Sequence, residues 1–219
     1  MEHNVKKQMI SFIVYITIFF MPLTAILKPL NLSRDLIILI SDFGVYFILS
    51  ILLFIITKKY LKEEIHKLKD IGFLRLIIYI IIGFVLVMIG NVVGSQIKEL
   101  LSGDMVSNNQ AMVEASLTNN KFKIFSILSI TLLGPFVEEV VFRQNLFVIG
   151  RYFKVNDIVI LLISSILFGL MHVVFTFDFS SLPIYFFGGL MYGLIYLKSD
   201  CIYVPILSHV IVNLLPYII

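Results

Sequence analysis

Seven apolar stretches, each close to the length of a bilayer crossing, constrain this 219-residue chain more than any other feature: 9–27, 36–57, 76–93, 124–141, 158–174, 182–197 and 202–219. A hydrocarbon core about 30 Å thick takes about 20 residues of helix to cross. Inside it every backbone N–H and C=O must find its partner within the protein, so segments of this kind resolve as helices. The balance of side chains points the same way. Hydrophobic residues make up 59% of the chain and charged ones 14%, against about 25% charged in soluble domains. That leaves too little polar surface to cover a water-soluble globule. A formal charge of +3 and a single cysteine, Cys201, exclude a nucleic-acid-binding module, a disulfide framework and a cysteine-rich zinc ribbon.

The expected fold is therefore all-α: a polytopic membrane protein with seven or eight transmembrane helices. It is read as one integral membrane domain over 1–219, with N-terminal helices in 1–97 and a chemically richer half in 124–219. The first stretch is long and lacks an A-x-A-like cleavage site, which makes it a retained helix and not a signal peptide. No appended soluble domain is expected.

Two polar connectors organise the spans. Residues 58–70 carry the most charge, and Leu61, Ile65 and Leu68 recur in them at helical spacing, as in an amphipathic helix on the membrane surface. Residues 98–123 form the longest polar stretch, centred on Asn108, Asn109 and Gln110. It is long for a structureless loop and reads as a lid or a short interfacial helix. With the N-terminus cytoplasmic, Lys6, Lys7, Lys58, Lys59, Lys62, Lys67, Lys69, Arg75, Arg151, Lys154 and Lys198 fall inside, eleven cations against five outside (Lys28, Arg34, Lys98, Lys121, Lys123). The positive-inside rule favours that orientation.

A charged group inside a bilayer costs about 2.5–3.5 kcal/mol on insertion scales, so each such group is a candidate for function. Glu138, Glu139 and Arg143 follow Gly134 and Pro135 in the fourth stretch. In a helix Glu139 and Arg143 are i,i+4 neighbours able to pair, while Glu138 points about 100° away and stays free. Phe168 and His172 are i,i+4 on the fifth stretch, with Gly169 between them permitting close helix approach, and His209 and Asn213 are i,i+4 on the last. A lone histidine on an apolar helix is more often a hydrogen-bonded core residue than a catalyst. Here two of the chain's four histidines lie deep in apolar stretches with a partner one turn away, while His3 and His66 lie in charged segments. Two imidazoles and one or two carboxylates facing one cavity can hold a divalent metal with an open position for water, or activate water directly. Both routes end in hydrolysis. Asn213 is then an uncharged donor suited to an oxyanion or to fixing the His209 ring.

In order and on successive late helices, Glu138-Glu139 with Arg143, Phe168 with His172, and His209 with Asn213 resemble the three motifs of the CAAX protease and bacteriocin-processing (CPBP, or Abi) family of intramembrane proteases. The resemblance covers about 124–213. It implies a helical membrane endopeptidase with a cavity between the fourth, fifth and last spans, open toward the cytosol. By motif position Glu138 is the water-activating carboxylate, Glu139 and Arg143 support it, and His172, His209 and Asn213 complete the site. The cofactor it implies is one divalent metal such as zinc, held by His172, His209 and Glu138, or none. The implied substrate is a membrane-associated peptide or protein, in CAAX-like processing, bacteriocin maturation, self-immunity or peptide-signal processing. The Ile, Phe, Lys and Asn-rich usage suits an AT-rich bacterial genome and hence a bacterial cell membrane.

Other intramembrane chemistries lack their residues. There is no H-E-x-x-H segment, no G-x-S-x-G around a membrane serine, and only one aspartate, Asp42, within a span. Asp42 is read as reaching the interface or a polar cavity, and Cys201 as structural. The rival from another class is a non-enzymatic immunity factor or ion-coupled transporter with a buried Glu and His proton relay. Against it, the ionisable groups cluster in one half and no two-halves repeat is visible.

Overall fold

The computed structural model describes residues 2–218, with side chains for 5–218, so the His3 side chain lies outside the described ones. Every one of the seven apolar stretches is helical, and no strand occurs among the described residues. The helices are α1 (Glu2–Phe19), α2 (Leu23–Leu27), α3 (Arg34–Ile38), α4 (Val45–Ile71), α5 (Phe73–Ser102), α6 (Asn108–Leu117), α7 (Lys123–Leu128), α8 (Gly134–Glu139), α9 (Leu146–Tyr152), α10 (Asp157–Val173), α11 (Leu182–Ser199) and α12 (Tyr203–Leu214). Several run together into longer rods. By length and apolarity Arg34–Ile71, Phe73–Ser102, Lys123–Tyr152 and Phe179–Ser199 can cross a membrane, and Val5–Phe19 with Leu23–Leu30, bent by 51°, makes a fifth candidate. Asp157–Val173 and Tyr203–Tyr217 are shorter apolar helices. These two carry His172 and His209.

The charged 58–70 segment is not a separate helix on the membrane surface. It extends α4 without a break to Ile71, where Gly72 at φ +75° makes the turn into α5. The reason is tertiary. The Glu64 carboxylate, almost wholly buried, accepts from the Ile202 N–H at 2.8 Å just ahead of α12, and Tyr203 Oη donates to Leu61 O at 3.1 Å. Lys67 bridges Glu64 (2.9 Å) and Asp200 (3.1 Å).

At this end lie the α4–α5 turn, the end of α11 and the start of α12. The opposite end is knitted by the 98–123 connector, which contains a short helix as expected. Lys98 reaches the Asp104 carbonyl at 3.2 Å, Arg34 donates to Ala115 O at 2.8 Å, and the Asn108 N–H donates to Asp178 at 3.0 Å. At 10 residues, α6 is too short to cross a bilayer.

Glycines let α5, α10 and α11 approach closely. A Cβ on Gly94 of α5 would meet Ile184 Cα at 2.5 Å and Pro183 O at 2.8 Å. On α11, one at Gly189 would meet Phe168 Cδ1 at 3.0 Å and one at Gly193 the Leu161 side chain, a small-residue contact beside the site.

Two outcomes follow from this packing. Gly94→Val forces backbone apart and is expected to cost about 1–3 kcal/mol, read as a lower unfolding temperature in detergent. Gly44→Ala, whose Cβ would meet only Leu39 O at 3.7 Å, is the neutral reference. Cysteines placed at Lys62 and Asn109 should be labelled from opposite faces of the membrane, and the charge count puts Asn109 on the outer one. Labelling of both from one face would overturn this topology.

Candidate active site

The fourth span is bent to its purpose by two π turns, Ser129–Leu133 and Val140–Asn145, on either side of α8. Pro135 cannot donate an N–H and its ring crowds the carbonyl one turn back, so the first wide turn precedes it. The second frees the Phe142 carbonyl, which accepts from Ser164 Oγ at 2.6 Å. It also carries Arg143, Gln144 and Asn145 inward, all fully buried. Gln144 donates to Gln8 at 3.1 Å and Asn145 to Ser11 at 2.9 Å, which ties the span to α1.

Arg143 Nε lies 3.2 Å from Glu139 Oε2 with neither group exposed, an ion pair without hydrogen-bond alignment. Arg143 Nη2 donates to Gly189 O at 2.8 Å, and the guanidinium lies 4.6 Å from the Phe168 ring centroid and 5.6 Å from that of Tyr192. The charge is thus met by a carboxylate, a carbonyl and two ring faces.

The other Glu139 oxygen, Oε1, is 2.9 Å from His209 Nδ1, and His172 Nδ1 is 2.8 Å from Phe168 O. A carbonyl only accepts, so His172 carries its proton on Nδ1; a carboxylate beside Arg143 assigns His209 the same tautomer. Both Nε2 atoms are left facing Glu138 Oε2, each at 3.9 Å. Glu138 is indeed the free carboxylate. Its second oxygen accepts from Tyr46 Oη at 3.4 Å.

The structure therefore brings Glu138, Glu139, Arg143, Phe168, His172 and His209 into one cluster. Asn213 departs from the expectation of a partner to His209, because its Nδ2 donates to Ile130 O at 3.0 Å and the ring is fixed by Glu139 instead. Asp42 is half-buried and bonded to Ser41, while Cys201 is buried with its thiol on Glu64 O. His66 is exposed on the α4 extension.

Three tyrosines were not anticipated. Tyr46 comes from the N-terminal half. Tyr185 stacks on His172 (centroids 4.4 Å apart, 18° between planes) and Tyr192 on His209 (4.3 Å, 21°). The spacing of Tyr185 and Tyr192 by seven residues on one helix, around Gly189, was the available signal.

The cluster is not open on all sides. The Glu138 and His172 side chains keep 11% and 19% of their exposure, whereas Arg143, Phe147, Tyr196 and Ile202 behind them keep almost none. His172 lies one residue before the end of α10, at the α6 end of the molecule. The His172 end of α10 thus lies away from the Lys-rich α4 extension. Glu138 and His172 meet because α10 is short and ends at the site.

The donors suit a metal chemically but not in spacing. Ligands about 2.0–2.1 Å from a tetrahedral zinc lie about 3.4 Å from one another. The Nε2–Oε2 separations are 3.9 Å, and no group of His, Cys, Asp or Glu among the described residues is arranged to hold an ion. At 3.9 Å the groups stand beyond direct hydrogen-bond reach of one another.

Residues 120–215 match the family described as Type II CAAX prenyl endopeptidase Rce1-like. This stretch of the chain is therefore similar to CAAX-type endopeptidases. The chain is 35% identical over 141 residues to the membrane-embedded CAAX protease MroQ of Staphylococcus aureus, an alignment covering 61% of this chain and 53% of that protein. It is 27% identical over 137 residues to "Putative membrane peptidase YdiL" of Bacillus subtilis, covering 63% and 53% respectively. The matched segment thus spans about half the length of each relative. No solved structure matches the chain.

The buried pair yields a prediction on accumulation. Arg143→Ala strands Glu139 in a dry site, a loss of about 3–5 kcal/mol, and should lower both membrane level and unfolding temperature. Glu138→Gln, isosteric and partly exposed, should leave both unchanged.

Proposed function

We propose that this protein is an intramembrane endopeptidase in which Glu138 activates a water molecule against a peptide bond of a membrane-associated peptide or protein. The observation that carries this reading is the convergence of two imidazole Nε2 atoms and an uncommitted carboxylate at 3.9 Å. A water held there donates one hydrogen bond to Glu138 and the other to an imidazole. As its oxygen attacks the carbonyl carbon, its proton passes to Glu138, and as the C–N bond breaks Glu138 returns that proton to the leaving nitrogen. Glu139 orients His209 through Nδ1, and Phe168 O orients His172. Asn213 spends one N–H on Ile130 O, and its second N–H is free for the oxyanion.

The family match and the name of the Staphylococcus aureus relative support a CAAX-type peptidase in a bacterial membrane. Convergence of Glu138, Glu139, Arg143, His172 and His209 on one site supports catalysis over an immunity scaffold or proton relay.

The test is cleavage of a membrane-tethered reporter peptide, normalised to protein level. Glu138→Gln should lower it by about 100-fold or more, and His172→Ala and His209→Ala should each lower it strongly. Full normalised cleavage by Glu138→Gln would sink the assignment. Stoichiometric metal in active preparations, lost together with activity in His172→Ala and His209→Ala, would replace the metal-free reading with the metal one.

A further inference from the structure

The α6 connector touches the site through one side chain. Tyr185 places its ring flat on His172 at 4.4 Å, while its hydroxyl is 2.5 Å from Ser107 Oγ and accepts from Asn109 Nδ2 at 3.2 Å. Ser107 is also the N-cap of α6, where its Oγ accepts from the Gln110 N–H at 3.0 Å. One hydroxyl thus both starts the helix and ties it to the residue that braces the histidine. A second tie lies close by. The Asp178 carboxylate accepts from the Asn108 N–H (3.0 Å), Ser180 Oγ (2.6 Å) and Ser181 Oγ (2.5 Å), at the turn leading into α11. Burial would raise the Asp178 pKa, but these hydrogen bonds outweigh it and hold the group below the usual carboxylate range, so this tie stays charged at neutral pH.

Beyond these ties α6 is held by the Arg34 bond to Ala115 O at 2.8 Å. No residue of α6 is fully buried, and its exposed face includes Met112. The helix packs against α10, the helix that carries His172.

We propose that Tyr185 is a positioning residue for His172 and that its hydroxyl latches α6 over the mouth of the site, so that the histidine is braced by a ring whose own anchorage depends on α6 being seated. The ring does one job and the hydroxyl another. The ring keeps His172 Nε2 aimed at Glu138, because stacking removes rotation about χ2. The hydroxyl stabilises the seated state of α6, which closes on bound peptide and excludes bulk water. This inference rests on the peptidase reading above, and its test contains an arm independent of cleavage.

That arm is hydrogen–deuterium exchange of the α6 amides in the full-length protein. Tyr185→Phe keeps the ring and removes the latch, and Ser107→Gly removes the partner while retaining a tolerated N-cap. Each should speed α6 exchange at least about fivefold, the loss of the shared hydrogen bond, and the double variant should fall short of the product of the two singles because that shared bond is deleted only once. The kinetic arm uses a fluorogenic membrane peptide. Tyr185→Phe should raise KM about fivefold with kcat within about twofold, whereas Tyr185→Leu, which removes the ring, should lower kcat about 30-fold or more per folded molecule. A residue that only supports the fold would lower the unfolding temperature without separating KM from kcat. Unchanged α6 exchange in Tyr185→Phe, multiplying effects in the double variant, or wild-type kcat in Tyr185→Leu overturns the proposal. If the wild type cleaves no faster than Glu138→Gln, the peptidase reading falls instead, and the exchange arm still decides the latch.

Discussion

The pairing of Glu139 with Arg143 is the constraint on which the rest of the site depends. Neither charge reaches solvent, so each must be answered by the protein. Glu139 answers Arg143 with one oxygen and His209 with the other. Arg143 adds a bond to the Gly189 carbonyl and lies on two aromatic faces. Three helices are thereby fixed to the fourth span. A bulkier residue at Gly189 would occupy the space that Phe168 and the guanidinium now fill.

Burying one carboxylate in this way leaves the adjacent one free. Glu138 and Glu139 are neighbours in sequence and opposites in circumstance: one is spent on a cation and a histidine, the other faces two Nε2 atoms and a tyrosine hydroxyl. The division of labour arises from the helix itself, whose 100° step sends consecutive side chains to different surroundings. The π turns flanking α8 then tune which surroundings those are.

Stacking completes the arrangement. Each histidine has one nitrogen bonded to an acceptor and one face covered by a tyrosine of α11. Such rings have few ways to turn, so the site is preorganised before any substrate arrives. Arg143, Phe147 and Tyr196 beneath it are almost wholly buried, whereas the small helix α6 has no fully buried residue.

Much of this was legible in the sequence because it is local. Apolar runs of crossing length specify helices in a bilayer, and i,i+4 spacing specifies which polar residues share a face, so the all-α class and the Glu139–Arg143 pair follow from periodicity, while the meeting of His172 with His209 was implied by the family resemblance. Tertiary structure decided what depends on distant segments. Glu64, read as one charge among many in 58–70, becomes the buried acceptor for Ile202 and straightens α4. Asn213 turns to Ile130 and not to His209, and Tyr46, Tyr185 and Tyr192 enter the site from helices without a polar motif. Helical spacing is a property of a few consecutive residues, whereas partner choice in a buried polar cluster is a property of the whole packed bundle.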